Sequence, residues 1–172
     1  LTTGVVNVPA GTPAGTYVLT YKLCETLNPT NCDTATIIVP VAAPFIDAKD
    51  DTYTAVNGAT GNTNVGNVVT GAGTGSVGDT INGAATTMAA VNLTLDTTAV
   101  NGGAAQPVVG VPAGAPVPVL NTTTGVLVVP PGTPAGVYNI TYKLCEKLNP
   151  TNCDTAIAKV TVDPSPIVVG ND

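Results

Sequence analysis

The chain has 172 residues, with 19 Gly and 15 Pro, 44% hydrophobic residues, but only 3% aromatic and 9% charged ones. One helix-breaking residue in five excludes a long helical bundle, and five Lys against eleven acids, a net charge of −6 with no Arg, exclude a phosphate-neutralising nucleic-acid surface. The absence of His removes the Ser-His-Asp and Cys-His constellations and the commonest zinc ligand, so the composition argues against an enzyme.

The chain opens with LTTGVVNVPAG, which lacks the charged start and apolar centre of a signal peptide. The expectation is an internal cut in a longer chain or a processed end. No later stretch approaches the roughly 18 consecutive apolar residues of a membrane span. Residues 5–8 form a short valine strand candidate, followed by the turn-forming GTPAG at residues 11–15. Tyr17, Leu19, Tyr21 and Leu23 then alternate with polar or smaller residues, as do Ala35, Ile37, Val39 and Val41 after an Asn-Pro turn. If Cys24 faces Cys32, the register places Tyr21 opposite Ala35, Leu19 opposite Ile37 and Tyr17 opposite Val39, so apolar row meets apolar row.

Residues 130–157, PPGTPAGVYNITYKLCEKLNPTNCDTAI, repeat residues 9–36, PAGTPAGTYVLTYKLCETLNPTNCDTAT, without insertion. Cys24 recurs as Cys145 and Asp33 as Asp154, 121 positions on. The same hairpin register then pairs Tyr142 with Ala156, Ile140 with Ala158 and Tyr138 with Val160. Further out, TTGVVNVP at residue 2 matches TTGVLVVP at residue 123, and PFIDAKDD at residue 44 matches SPIVVGND at residue 165. The chain therefore reads as one full repeat and about half of another. Residues 1–43 are expected to be the C-terminal part of a preceding repeat with three strands, too few to close a core. Residues 44–51 form an acidic linker, residues 45–164 a complete repeat, and residues 165–172 the start of the next.

Between the two hairpins the strand pattern is weaker. Asn57-Gly58, Asn82-Gly83 and Asn101-Gly102 are turn dipeptides, and residues 90–95 and 107–111 are short extended candidates. GAGTGSVGD at residues 71–79 has no Gly-Lys-Ser/Thr ending and is expected to be a surface loop or a loose connection, not a phosphate loop. Short strands with frequent turns predict an all-β chain of tandem Ig-like antiparallel β-sandwiches, each with a disulfide-closed C-terminal hairpin.

The chemistry the sequence offers is structural. Cys24 with Cys32 and Cys145 with Cys153, eight residues apart in each pair, fit hairpin disulfides better than a zinc knuckle, the competing state being reduced thiols. Asp47, Asp50 and Asp51, approached by Asp154 of the second hairpin tip, are a candidate calcium set that would stiffen a junction. At the next junction their counterparts are Val168, Asn171 and Asp172, where two of the three carboxylates are missing. No other cofactor is expected. For carbohydrate the exposed aromatics expected are Tyr53 and Phe45, with the other tyrosines on inward rows. Asp-Thr followed by a small or apolar residue resembles the O-glycosylation motif of Bacteroidota, which makes Thr34, Thr80, Thr97 and Thr155 the acceptor candidates.

TYKLCETLNPTNCDTA, preceded by PAGTPAGTY, resembles the repeats of giant secreted surface proteins of Bacteroidota, especially flavobacterial gliding-motility adhesins of the SprB type. DDTYTAVNGATGNTNVGNVV is similar to the opening of those repeats and, more loosely, to cadherin-like bacterial Ig repeats. Where that family carries a Leu-Thr-Asn-Asp-like turn, this chain has VTGAGTGSVGD. The resemblance implies export by the type IX system, placement at the cell surface and a part in adhesion or gliding. The expected function is thus a non-enzymatic stalk repeat whose partners are neighbouring copies of itself, in tandem or in a fibre, with surface glycans as a further partner. The alternatives are a fibre subunit completed by strand exchange and a carbohydrate-binding module.

Overall fold

The computed structural model describes residues 3–107 and 111–167, apart from the side chains of Ala55, Gln106 and Pro107. The extended candidate at residues 107–111 therefore lies partly outside the described residues, as do Val168, Asn171 and Asp172. The chain divides into two compact units, Leu1–Pro44 and Phe45–Asp172.

The first unit is a hairpin of β1 (Gly15–Cys24) and β2 (Cys32–Val41). Alternation sets its register: Tyr17 lies opposite Val39, Leu19 opposite Ile37, Tyr21 opposite Ala35 and Cys24 opposite Cys32. The Tyr17 hydroxyl donates to the Pro13 carbonyl at 2.9 Å, and the Thr12 hydroxyl to the Pro9 carbonyl at 2.7 Å, which folds the GTPAG segment back on the strand it precedes. Residues 5–8, expected to be a strand, are not one in this unit.

The second unit runs through β3 (Ile46–Asp47), β4 (Asp51–Asn57), β5 (Asn62–Asn67), β6 (Thr80–Ile81), β7 (Ala84–Ala85), β8 (Val91–Leu95), β9 (Gln106–Pro107), β10 (Val119–Leu120), β11 (Val126–Val129), β12 (Gly136–Glu146) and β13 (Cys153–Asp163). A short 3₁₀ turn, Val100–Gly103, is the helical element among the described residues. The larger sheet has the order β4-β13-β12-β8, with β9 also on β12; β10-β11-β5 forms another, and β3-β6-β7 a small third. Pairing is antiparallel except between β4 and β13, which run parallel, with Tyr53 opposite Val160. That pairing departs from the all-antiparallel expectation: β4 lies on the edge of β13 opposite to β12, and its direction along that edge is invisible in its own residues.

The unit is a β-sandwich with its core between the faces of these sheets. Tyr138, Ile140, Tyr142 and Leu144 of β12 and Ala158 and Val160 of β13 are wholly buried, meeting Leu127 and Val129 of β11, Val68, Val91 and Tyr53. Each large side chain so buried contributes about 1.5–3 kcal/mol relative to exposure.

The two copies of the repeat share local geometry. The β12–β13 register repeats that of β1–β2 position by position, Tyr138 donates to the Pro134 carbonyl at 2.7 Å and Thr133 to the Pro130 carbonyl at 2.6 Å. They differ in context. The valine segment is a strand as β11, because β5 and β10 flank it there. In the first unit Val5, Val6 and Val8 are exposed and no strand among the described residues pairs with them.

Candidate functional site

Two structures concentrate the polar chemistry: the hairpin tips and an acidic cluster at one end of the second unit's core. At the tips, Cys24 is bonded to Cys32 and Cys145 to Cys153, with Cα atoms 4.1 Å apart in both. Each bond closes a seven-residue loop, ETLNPTN or EKLNPTN, whose Glu is the receptor for its Asn residues. Asn31 Nδ2 donates to Glu25 at 3.1 Å, and in the second copy Asn149 and Asn152 donate to Glu146 at 2.6 and 3.3 Å. The backbone repeats as well: Glu25 N to Asn31 O and Glu146 N to Asn152 O are both 3.0 Å. These bonds hold Glu25 below the usual carboxylate range, with Asn31 as the main cause.

The acidic cluster is built around Asp51 and Asp79, 1% and 0% exposed. Asp51 opens β4, and its Oδ1 accepts from Val77 N at 2.7 Å and from Ser76 Oγ at 3.0 Å. Ser76 Oγ is also 3.0 Å from the Tyr53 hydroxyl. Asp79 Oδ1 accepts from Lys49 N at 2.8 Å, and the Tyr142 hydroxyl lies 2.9 Å from the Lys49 carbonyl and 3.3 Å from that same Oδ1. The Oδ2 atom of each carboxyl is buried without a hydrogen-bond partner. Burial pushes Asp51 up to about 6 and Asp79 up to about 7, the latter raised further by the charge of Asp51. Tyr53 and Tyr142 are raised for the same reason, loss of water around the charged form.

The segment that supplies the Ser76 and Val77 bonds is the glycine-rich stretch expected to be a surface loop or a loose connection. It is a surface loop, with residues 72–75 and Val77 exposed, but not a loose one: Thr52 N donates to Gly75 O at 3.0 Å and Asp79 N to Val69 O at 3.0 Å. Gly75 has φ +86°, and a Cβ there would stand 1.8 Å from the Thr52 carbonyl oxygen. At Gly66, the Tyr53 ring occupies the space of a side chain, 2.4 Å from a notional Cβ. Glycine here permits close packing, which composition alone reads as looseness.

The calcium candidates are spread over separate tasks. Asp47 pairs with Lys49, Asp50 Oδ1 accepts from Ile157 N at 2.8 Å, and Asp154 accepts from Ala48 N at 3.0 Å and Thr155 N at 2.9 Å. The Ile157–Asp50 and Ala48–Asp154 bonds tie the 44–51 segment to β13. Asp51 faces the core with Asp79, a residue the sequence marked only as the neighbour of Thr80. Among the described residues no three acids, cysteines or histidines gather where a metal ion would sit, short of the six to eight oxygens that Ca²⁺ takes.

Thr34, Thr97 and Thr155 are exposed, the first and last on the outward rows of their hairpins, whereas Thr80 is half-buried in β6 behind the wholly buried Asp79. Tyr53, expected near the surface as an aromatic sugar platform, is 0% exposed, because β4 turns it into the core beneath Gly66. Phe45 is exposed, and so are Tyr17 and Tyr21, although their row is the inward one. The described residues contain no helix long and apolar enough to cross a membrane.

No protein-family model and no curated protein matches the chain. Among solved structures it is similar to the crystal structure of the human desmocollin-1 ectodomain, with a TM-score of 0.42 and 11% sequence identity over 81% of this chain. The chain spans 24% of that ectodomain chain.

Proposed function

We propose that this chain is a non-enzymatic structural repeat of an extracellular adhesin or filament, giving reach and stiffness for surface attachment. The observation that carries it is the twofold realisation of one design: at a spacing of 121 residues, both copies form the same disulfide-closed hairpin in the same register. Tandem units of this kind contact their neighbours and build extended rods, and disulfides persist in oxidising surroundings outside the cytosol. The finer reading, a Bacteroidota gliding adhesin exported by the type IX system, is supported by the motif resemblance around TYKLCETLNPTNCDTA. Electron microscopy of the parent protein as isolated from its source tests the proposal. Filaments or rods with an axial repeat near one domain length, a few tens of Å, are the expected result; compact isolated particles overturn it and call for a glycan screen.

A second reading, a fibre subunit completed by strand exchange between chains, is favoured by the apolar face that the first unit leaves in solvent.

A further inference from the structure

The β1–β2 hairpin shows to solvent a face that its own repeat buries. Tyr17, Leu19, Tyr21 and Leu23 are 39%, 45%, 44% and 70% exposed. Their counterparts Tyr138, Ile140, Tyr142 and Leu144 are between 0% and 1% exposed. The side chains are near-identical and the pairing register is the same, so the difference lies wholly in what covers the sheet. In the second unit residues 44–121 supply β5 and β10, which with β11 form the facing sheet, while β4 pairs with the outer edge of β13, and β8 and β9 pair with the outer edge of β12. In the first unit the face and both edges are open together.

We propose that the β1–β2 hairpin is the receiving half of a β-sandwich whose other half is a polypeptide segment patterned like residues 44–121 and joined by a peptide bond to Leu1. This rests on the repeat reading above and names its missing partner. The internal repeat fixes the docking register. The counterpart of Tyr53 lies opposite Val39 on a strand parallel to β2, because Tyr53 lies opposite Val160. The counterpart of Leu93 lies opposite Leu23, because Leu93 lies opposite Leu144. The valine segment at residues 5–8 then gains the flanking strands that make β11 a strand.

Stoichiometry decides against exchange of covering segments between copies of this chain. Each chain carries two hairpins and one covering segment, so any exchange among copies of residues 1–172 leaves one hairpin per chain uncovered. Continuity decides for a covalent source. The repeat has no gap, Asn121 runs directly into Thr122, and Thr122 is the counterpart of Leu1. A tethered segment meets the face at an effective concentration of roughly millimolar, which a free partner seldom reaches.

The test joins a second copy of residues 44–121 directly ahead of Leu1 and compares amide hydrogen exchange in this extended chain and the unaltered one. Exchange in β1 and β2 is expected to slow about 100-fold or more, approaching that of β12 and β13, as those strands pass from a lone hairpin into a cooperative core. Unchanged exchange in β1 and β2 while β12 and β13 stay protected overturns the proposal. A concentration-dependent dimer of the unaltered chain with β1 and β2 protected also overturns it and assigns the face to a second copy. Leu19→Asp in the extended chain is expected to abolish the new protection and leave β12 and β13 as they were; survival of the protection overturns the assignment of the face. Absence of filaments in the parent protein bears on the stalk reading and leaves this result untouched.

Discussion

At the residue scale the consequential groups are Asp51 and Asp79, two carboxyls that burial makes reluctant to ionise. Both titrate above the ordinary value of 3.8 in the folded chain, at about 6 and about 7. Between pH 4 and 7 the folded chain therefore keeps protons that the unfolded chain has released, and stability falls as pH rises. The stabilisation is full below about pH 4 and is lost as pH passes through about 6 and about 7, on the order of 2–5 kcal/mol for the pair. Urea unfolding of the second unit at pH 4.5 and pH 8 is expected to show the higher midpoint at the lower pH. Asp79→Asn keeps an acceptor for Lys49 N without the charge, so it is expected to flatten this slope and leave stability at pH 8 equal or higher; an undiminished slope would assign the pH dependence elsewhere. Tyr142→Phe removes the hydroxyl shared between Lys49 O and Asp79 Oδ1 and is expected to cost about 1–3 kcal/mol, read from the same unfolding curves.

At the scale of the element, the disulfide matters differently in the two copies. Closing a loop this short removes unfolded-state entropy worth about 2–3 kcal/mol. In the second unit that adds to a packed core, and Cys145→Ser with Cys153→Ser is expected to lower the unfolding midpoint while the unit stays folded. In the first unit it acts on an isolated two-stranded hairpin, which is marginal in water without further support. Mild reductant is accordingly expected to open β1–β2 to proteolysis well before β12–β13, as mass spectrometry of the cleavage sites would show. The glycine-rich stretch belongs at this scale too. Gly75→Ala puts a methyl group against the Thr52 carbonyl at a positive φ, and a loss of about 2 kcal/mol or more in the second unit is expected from thermal unfolding.

At the scale of the whole molecule, the repeat supplies its own control. Ile140 is 1% exposed and its counterpart Leu19 45% exposed, in the same pairing register. Ile140→Ala is expected to cost the second unit about 2–5 kcal/mol, whereas Leu19→Ala shifts the first by no more than about 1 kcal/mol. Equal effects would mean that the first hairpin already has a cover in solution.

What the sequence by itself determined was local: the hairpin register in both copies, the cysteine pairing opposite each other, the turns at Asn57-Gly58 and Asn82-Gly83, the extended stretch at residues 90–95 and the all-β sandwich class. Period-two alternation writes those features into neighbouring residues, and the second copy checks them. The tertiary structure decided what depends on contacts made far along the chain. It sent Tyr53 inward beneath Gly66 and brought Asp79 into the same buried cluster as Asp51, through contacts with Lys49, Ser76, Val77 and Tyr142 that no residue of β4 encodes. It turned residues 71–79 from a loose connection into the wall of the acidic cluster, since the glycines are there to let backbone approach backbone. It also separated two nearly identical rows of apolar side chains, one buried and one exposed, because burial belongs to the partner that covers a face and not to the face alone.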